Sequence, residues 1–265
     1  RLAAGLRIHH DRQRLTWRSD QSGYVDSDGD GIPDMPFGTT ENVRDASVTK
    51  TALLPSLTLE YRPNERHFGW VKLSRGYEAP GYNLYATKRE RAQYAYLPTL
   101  ANYIELGYRI RGQDAGWELG ATAFSTILHD HQVVGSFKGL TVTNNAKRAH
   151  SRGIELTGMW RPLPELELNA FAGFVNAKWD EFVLNGVDYA GQSFSTTPRQ
   201  SYGLGLSWQP HSQWNLGVNV VRHGRSTLAT NSKFVNKPYT LVDANITYTS
   251  GRFTVGVYGQ NLGNA

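Results

Sequence analysis

The stretch DSDGDGIPD, residues 26–34, sets Asp26, Asp28, Asp30 and Asp34 on a glycine-containing loop. Four carboxylates so close together repel one another unless a hard cation draws them in, and oxygen ligands at this spacing suit calcium. Counted from Asp26 as an EF-hand loop is counted, positions 1, 3, 5 and 9 are these aspartates, Gly31 stands at 6, and Ile32 at 7 offers its carbonyl. Position 12 is Phe37 rather than the bidentate Glu. The expectation is a calcium ion used as a staple for an exposed loop, bound weakly, at roughly 10⁻⁴ to 10⁻³ M. The bland alternative is a solvated acidic loop.

A second constellation lies between 77 and 101. It holds Tyr77, Tyr82, Tyr85, Tyr94 and Tyr96 together with Lys88, Arg89 and Arg91. Tyrosine offers stacking area and a hydroxyl, and arginine offers charge and a planar contact, so the set suits a flat anionic ligand. A loop that meets an anionic lipid rim, or a solvated charge cluster, would read the same way. The triplet HDH puts His129 and His131 on one face of a strand, but two close ligands make a poor metal site. No GxSxG, phosphate loop or HExxH occurs, and catalysis has no support.

The elements that carry these residues read as strands throughout. In YIELGYRIR, Ile104, Leu106, Tyr108 and Ile110 alternate with Glu105, Arg109 and Arg111. SYGLGLSW and LVDANITY alternate in the same way. In 67–75, Trp70 and Val71 compete for the apolar face. The pattern predicts eleven strands: 2–17, 47–61, 67–76, 102–111, 117–132, 142–161, 166–180, 198–209, 214–226, 238–249 and 252–262. Their connections alternate short (62–66, 111–116, 161–165, 209–213, 249–252) and long (18–46, 77–101, 133–141, 181–197, 227–237). In an up-and-down meander this puts every short turn on one side. An aromatic on the apolar parity flanks each short turn: Tyr61, Trp117, Trp160, Trp208, Trp214, Tyr248 and Phe253. Short turns on one side, long loops on the other and an aromatic girdle are the signature of an antiparallel transmembrane β-barrel of the bacterial outer membrane. A soluble β-sandwich would not sort its loops by length. The opposite parity carries Glu60, Glu105, Arg109, Glu155, Glu167, Asn169, Asn215, Asn219, Asp243 and Asn245, which implies a wide, wet lumen.

Composition agrees. The 265 residues include no cysteine, which excludes disulfide frameworks and thiolate metal sites. Aromatics reach 12 % while charged residues hold at 19 %, an unusual pairing for a soluble domain. The net charge of +5 is dispersed, so no nucleic-acid partner is expected. No apolar run nears the roughly 18 residues of a membrane helix. The chain begins at Arg1 without a signal-peptide pattern and starts and stops within strand-like sequence, so it reads as part of a longer protein.

LSRGYEAPGYNLY (73–85), YIELGYR (103–109), NNAKRAHSRGIELTGMWRP (144–162), TPRQSYGLGLSW (197–208), LVDANITY (241–248) and VYGQNLGNA (257–265) resemble, in order, the second half of a TonB-dependent outer-membrane receptor. GYEAPGYNL looks most like the ferric-siderophore, pesticin-type branch. The resemblance implies a share, about strands 11 to 21, of a plugged barrel of about 22 strands. It places Asn261, Leu262 and Asn264 on the penultimate strand, and leaves the plug, the energy-coupling box and the closing strand outside residues 1–265. It further implies active uptake of a ferric siderophore, with outer-membrane lipid and lipopolysaccharide around the barrel and the TonB complex reached through the missing N-terminal part. With such a ligand the 77–101 tyrosines and cations become candidate contacts, and the alternation of connections sets the 18–46 loop with its calcium motif on the external side. A cobalamin receptor of the same family, a passive substrate-selective porin, and a barrel serving as adhesin or enzyme are the competing functions.

Overall fold

The computed structural model describes residues 1–84, 86, 88–114, 116–137, 140–184, 186–229 and 234–263, with the backbone alone at 136, 137, 140 and 141. Eleven strands form one antiparallel sheet in strict chain order. They are β1 (Leu2–Val25), β2 (Met35–Asn64), β3 (His67–Glu78), β4 (Thr99–Arg111), β5 (Trp117–Phe137), β6 (Leu140–Leu163), β7 (Leu166–Glu181), β8 (Gln200–His211), β9 (Trp214–His223), β10 (Tyr239–Ser250) and β11 (Phe253–Gly259). β1 and β11 are the sheet's two edges. The meander is the partial barrel that the alternation predicts.

Each residue parity has one job. Along the outward parity, Leu2, Leu6, Ile8, Leu57, Leu59, Ile154, Leu156 and Leu204 are exposed, Leu204 to 66 %. Side chains that apolar, in a continuous band, belong against lipid rather than water. The girdle closes the band at the turn side: Trp117 pairs with Trp160, and Trp214 with Tyr248, their rings 4.7 Å apart. Three of the hairpins slip register between the girdle and the turn, at Tyr61/Asn64, Trp160/Leu163 and Trp208/His211. Bulges there tighten the strand ends beside the turns. Eight positions up from the girdle, the outward residues of β5, β6, β8, β9 and β10 become polar together, at Ser125, Arg152, Gln200, Arg222 and Thr240. That is about 26 Å along a strand, or about 20 Å along the membrane normal at the usual tilt, close to the height of an apolar barrel band.

The competition at 70–71 resolves by register. Val71 pairs with Leu59 and Leu106 on the apolar face, and Trp70 turns to the polar face, where its indole N–H donates to Glu105 Oε1. There its ring covers Gly107, where an added Cβ would lie 1.9 Å from Trp70 Cζ2. Phe171 covers Gly203 in the same manner, at 2.0 Å. Rings laid flat on glycines keep the polar face low and the lumen open.

Several expected loops are strand. The 18–46 segment continues as a paired ladder from Trp17↔Val43 to Val25↔Met35, leaving only Asp26–Asp34 as its tip. The 133–141 segment likewise pairs as far as Phe137↔Leu140. Residues 18–23 and 38–42 are polar or glycine on both faces, and 133–134 puts valine on both parities, so no apolar alternation marks either segment while backbone pairing persists. At the other end β11 stops at Gly259. Asn261 has φ 50° and its N–H donates to Asp243 Oδ1, so Asn261 and Leu262 leave the strand, and Asn264 lies outside the described residues.

In the whole protein, Gly107→Val should lower stability by about 1–3 kcal/mol. Gly256→Val, whose nearest neighbour is Thr247 Oγ1 at 3.6 Å, should be close to neutral. The temperature at which the folded band converts to the unfolded band on semi-native gels reads both.

Candidate functional site

The external end is where side chains finally bury one another. Leu15, Val43, Ala86 and Ala92 form one cluster, joined by Trp17, Ala46 and Tyr82. Asp45, with φ 57°, accompanies the register shift between Leu15 and Trp17. The 79–98 segment folds onto this cluster through the two-residue ladder Gly81–Tyr82 with Ala95–Tyr96 and the single helical turn Arg89–Ala92.

Three carboxamides clasp the segment to the barrel rim. Asn83 donates from Nδ2 to Thr143 O at 3.1 Å and accepts from Thr143 N at 2.7 Å, mimicking a strand partner. Asn145 accepts from Leu97 N at 2.8 Å and donates to Leu97 O at 2.9 Å and Asp130 O at 2.6 Å. Gln132 donates to Ala79 O at 2.7 Å. Asn145 and Gln132 satisfy loop peptide groups, and Asn83 satisfies those of Thr143 on the β6 strand. None of the three stood out in the sequence. The signals were their places in matched motifs, Asn83 in GYEAPGYNL and Asn145 in the NNA run at 144–146.

The expected ligand set divides. Arg91, Tyr94 and Tyr96 line a cavity of about 290 Å³ with Asn83, Glu90, Asn144 and Asn145. The Asn144 Nδ2 is buried with no hydrogen-bond partner among the described residues. Lys88 is spent on anchoring, its Nζ 3.0 Å from Glu41 Oε1, and Arg89 gives its backbone N–H to Glu41 Oε2 while its side chain is exposed. Tyr82 packs in the cluster, and Tyr77 sits lower, its ring 4.9 Å from His9 and its hydroxyl buried without a partner among the described residues. Tyr85 lies outside the described residues.

The histidines of HDH do not share a face. Asp130 adopts φ 51°, and the alternation flips across it. His129 is exposed, whereas His131 stacks against the Trp179–Phe194 pair, at 5.5 Å from Trp179 and 5.6 Å from Phe194, beside a buried group that includes Val133, Ala149 and Phe182. Burial pushes its pKa down. It is a packing residue that holds the 181–197 segment.

At the β1–β2 tip, the ligand oxygens of Asp26, Asp28 and Asp30 lie within 4.8 Å of one another. Oxygens bound to one calcium ion at 2.3–2.6 Å lie at most about 5 Å apart, so the three fit such an ion. Asp26 accepts from the N–H groups of Gly31 at 2.7 Å and Gly29 at 2.6 Å, which draws its pKa down. Gly29 and Gly31 stand at φ 82° and 88°, where only glycine is unstrained. Ile32 donates its N–H to Asp30 Oδ1 at 2.7 Å. Asp34 stands apart from the three: Ser27 holds it through N–H at 3.0 Å and Oγ at 2.8 Å.

A family model for the TonB dependent receptor-like β-barrel matches residues 1–262. The pesticin receptor of Yersinia enterocolitica is 26 % identical over 206 residues, which are 78 % of this chain and 27 % of that protein. The ferric yersiniabactin uptake receptor FyuA of Yersinia pestis superposes over 100 % of this chain and 38 % of its own, with TM-score 0.75 and 19 % identity. The copper transporter OprC does so over 100 % and 40 %, with TM-score 0.72 and 14 % identity. The chain thus spans between 27 % and 40 % of the length of these three proteins.

Glu41 is the pivot of the 88–92 turn. The Arg89 N–H and then the Lys88 ammonium hold its carboxyl below the ordinary 4.5. Its contribution is therefore complete above 4.5 and fades as pH falls through the lowered folded value. Glu41→Ala should speed tryptic cleavage after Lys88 and Arg89 about threefold or more, since protection there depends on local opening. The same acceleration should appear in the native protein only in acid, read with an acid-tolerant protease.

Proposed function

The chain belongs to the TonB-dependent receptor-like β-barrel family of the bacterial outer membrane, and from that premise we propose that it forms the wall and external rim of a receptor taking up a ferric siderophore with energy from the TonB system. The observation that carries the reading is the rim cavity, where a cation, two tyrosines and carboxamide groups converge on the external side of the barrel. Ferric siderophores are commonly anionic and bear flat aromatic chelators, which suits Arg91, Tyr94 and Tyr96. The similarity to the pesticin receptor and to the ferric yersiniabactin uptake receptor supports the iron-chelate branch over a cobalamin carrier or a passive porin. The family is one of receptors, and no residue here is assigned a catalytic role.

Within this reading the ligand meets Arg91, Tyr94 and Tyr96, while Lys88, Arg89, Tyr77 and Tyr82 hold the segment in place. Calcium at Asp26, Asp28 and Asp30, with the Ile32 carbonyl, would fix the tip of the β1–β2 hairpin, and Asp34 would close the loop through Ser27. The ion's part is structural and remote from the ligand.

Two measurements test these readings in the whole protein. Quenching of intrinsic fluorescence by a panel of ferric siderophores should give a saturable isotherm for at least one. Arg91→Ala with Tyr94→Ala should weaken it about tenfold, the loss of one charged and one stacking contact. Unchanged affinity rejects the contact role. Calorimetry should show calcium binding in roughly the 10⁻⁴ to 10⁻³ M range, lost in Asp30→Ala. Absence of calcium heat at millimolar concentration rejects the staple.

A further inference from the structure

We propose that the wall has a side port between β2 and β3 that admits the alkyl tail of an amphiphilic ferric chelate, whose polar head stays in the lumen. The inference rests on the siderophore reading and narrows its substrate class.

The port begins where a ladder fails. Among the described residues from β1 to β10, every other pair of neighbours stays joined up to the level where the outward residues turn polar. The β2–β3 pairs stop lower, at Ser56↔Ser74, five positions above Tyr61. Pro55 is the cause. Glu60 exchanges both its peptide groups with Arg1, so even-numbered residues of β2 turn their N–H and C=O toward β1 and odd-numbered ones toward β3. Pro55 is odd-numbered and has no N–H to give.

Above Pro55 the sheet divides into two layers. β3 stays with β4, from Arg75↔Asn102 to Glu78↔Thr99. Its Tyr77 ring lies 4.9 Å from that of His9 on β1, whose partner on β2 is Ala52. Ile8 is exposed on the outward side, so His9 faces the lumen. The upper end of β3 therefore lies on the lumen side of the β1–β2 ribbon.

A crevice of about 380 Å³ opens at the fork. Its lining joins Pro55, Leu57 and Leu73 of the outward parity to Tyr103 of the lumen parity. In an unbroken sheet these belong to opposite faces, so the crevice passes through the wall. Arg75 Nε donates to Asn102 Oδ1 at 2.8 Å and borders the outer mouth on the β3–β4 side. The mouth opens in the upper part of the apolar band, with hydrocarbon outside and the wet lumen inside. A volume at the small end of ligand pockets takes a chain rather than a whole chelate. Each methylene moved from water into the crevice is worth roughly fourfold in affinity.

The test uses the whole protein in detergent and two ferric chelates, a trihydroxamate and a triscatecholate. Each is made with an acetyl or a dodecanoyl group on a terminal amine, and fluorescence quenching reads binding. For at least one chelate the dodecanoyl form should bind at least about tenfold tighter. Residues 1–265 hold no cysteine, so Pro55→Cys with Arg75→Cys, one step beyond the last pair, places a single disulfide across the fork. Oxidised, this variant should keep its acetyl affinity and hold a tail advantage of only about threefold or less; reduction should restore the rest. Leu73→Trp, which fills the crevice without a disulfide, should act like the staple. Leu204→Trp, on the outer face of β8, should leave the advantage unchanged. A tail advantage that survives both closures, or none in the native protein while an acetyl form binds, overturns this proposal and leaves the siderophore reading standing. No binding by any of the four compounds overturns both.

Discussion

In hydrocarbon a peptide group has no water to turn to, so each backbone N–H and C=O must find a protein partner. This constraint shapes the whole chain. It forces every segment that crosses the membrane into a strand with a neighbour, and it makes the sheet run in unbroken sequence from β1 to β11. Once the ladder is fixed, side-chain direction follows with period two, and each residue is committed to lipid or lumen. Leucine, isoleucine and tryptophan on one parity and glutamate, asparagine and glycine on the other are the consequence. The glycine–ring pairs, Trp70 over Gly107 and Phe171 over Gly203, show the lumen side solving its own problem of keeping large side chains low.

Beyond the apolar band the constraint relaxes and a different one takes over. The external segments must hold a defined shape in water with little apolar area. Small clusters supply some of this, around Leu15 and Val43 and around Trp179 and Phe182. Local hydrogen bonding supplies the rest. Asn83, Gln132 and Asn145 act as backbone substitutes for the 79–98 segment, Glu41 ties down the 88–92 turn, and the tip at Asp26–Asp34 folds on its own carboxylates. A rim built this way is rigid where it joins the barrel and open where Arg91, Tyr94 and Tyr96 face the cavity.

How much was legible in the sequence follows from the same division. Within the membrane, Ile104 to Ile110 or Trp208 to Tyr202 announce their faces, because lipid tolerates only one kind of side chain. The strand number and the girdle could be read directly. Outside, Ser19 to Ser22 pair with Gly38 to Glu41 through the backbone ladder and one cross-strand contact, Thr40 Oγ1 to Asp20, and no apolar periodicity marks them. The reversal at Asp130 depends on one dihedral angle, so His131 could not be told from His129 by spacing. Of the tyrosines and cations between 77 and 101, composition gave the neighbourhood but not the division of labour. Which of them anchors and which faces the cavity depends on Glu41, 47 residues from Lys88.

The central claim is that this wall belongs to an energy-coupled carrier of iron chelates. Uptake of radioactive iron by iron-starved cells expressing the whole protein, with a ferric siderophore as the source and with TonB present or deleted, tests it most directly. The account predicts saturable uptake that disappears when TonB is removed. Uptake that persists without TonB and rises in proportion to concentration would contradict it and leave a passive pore.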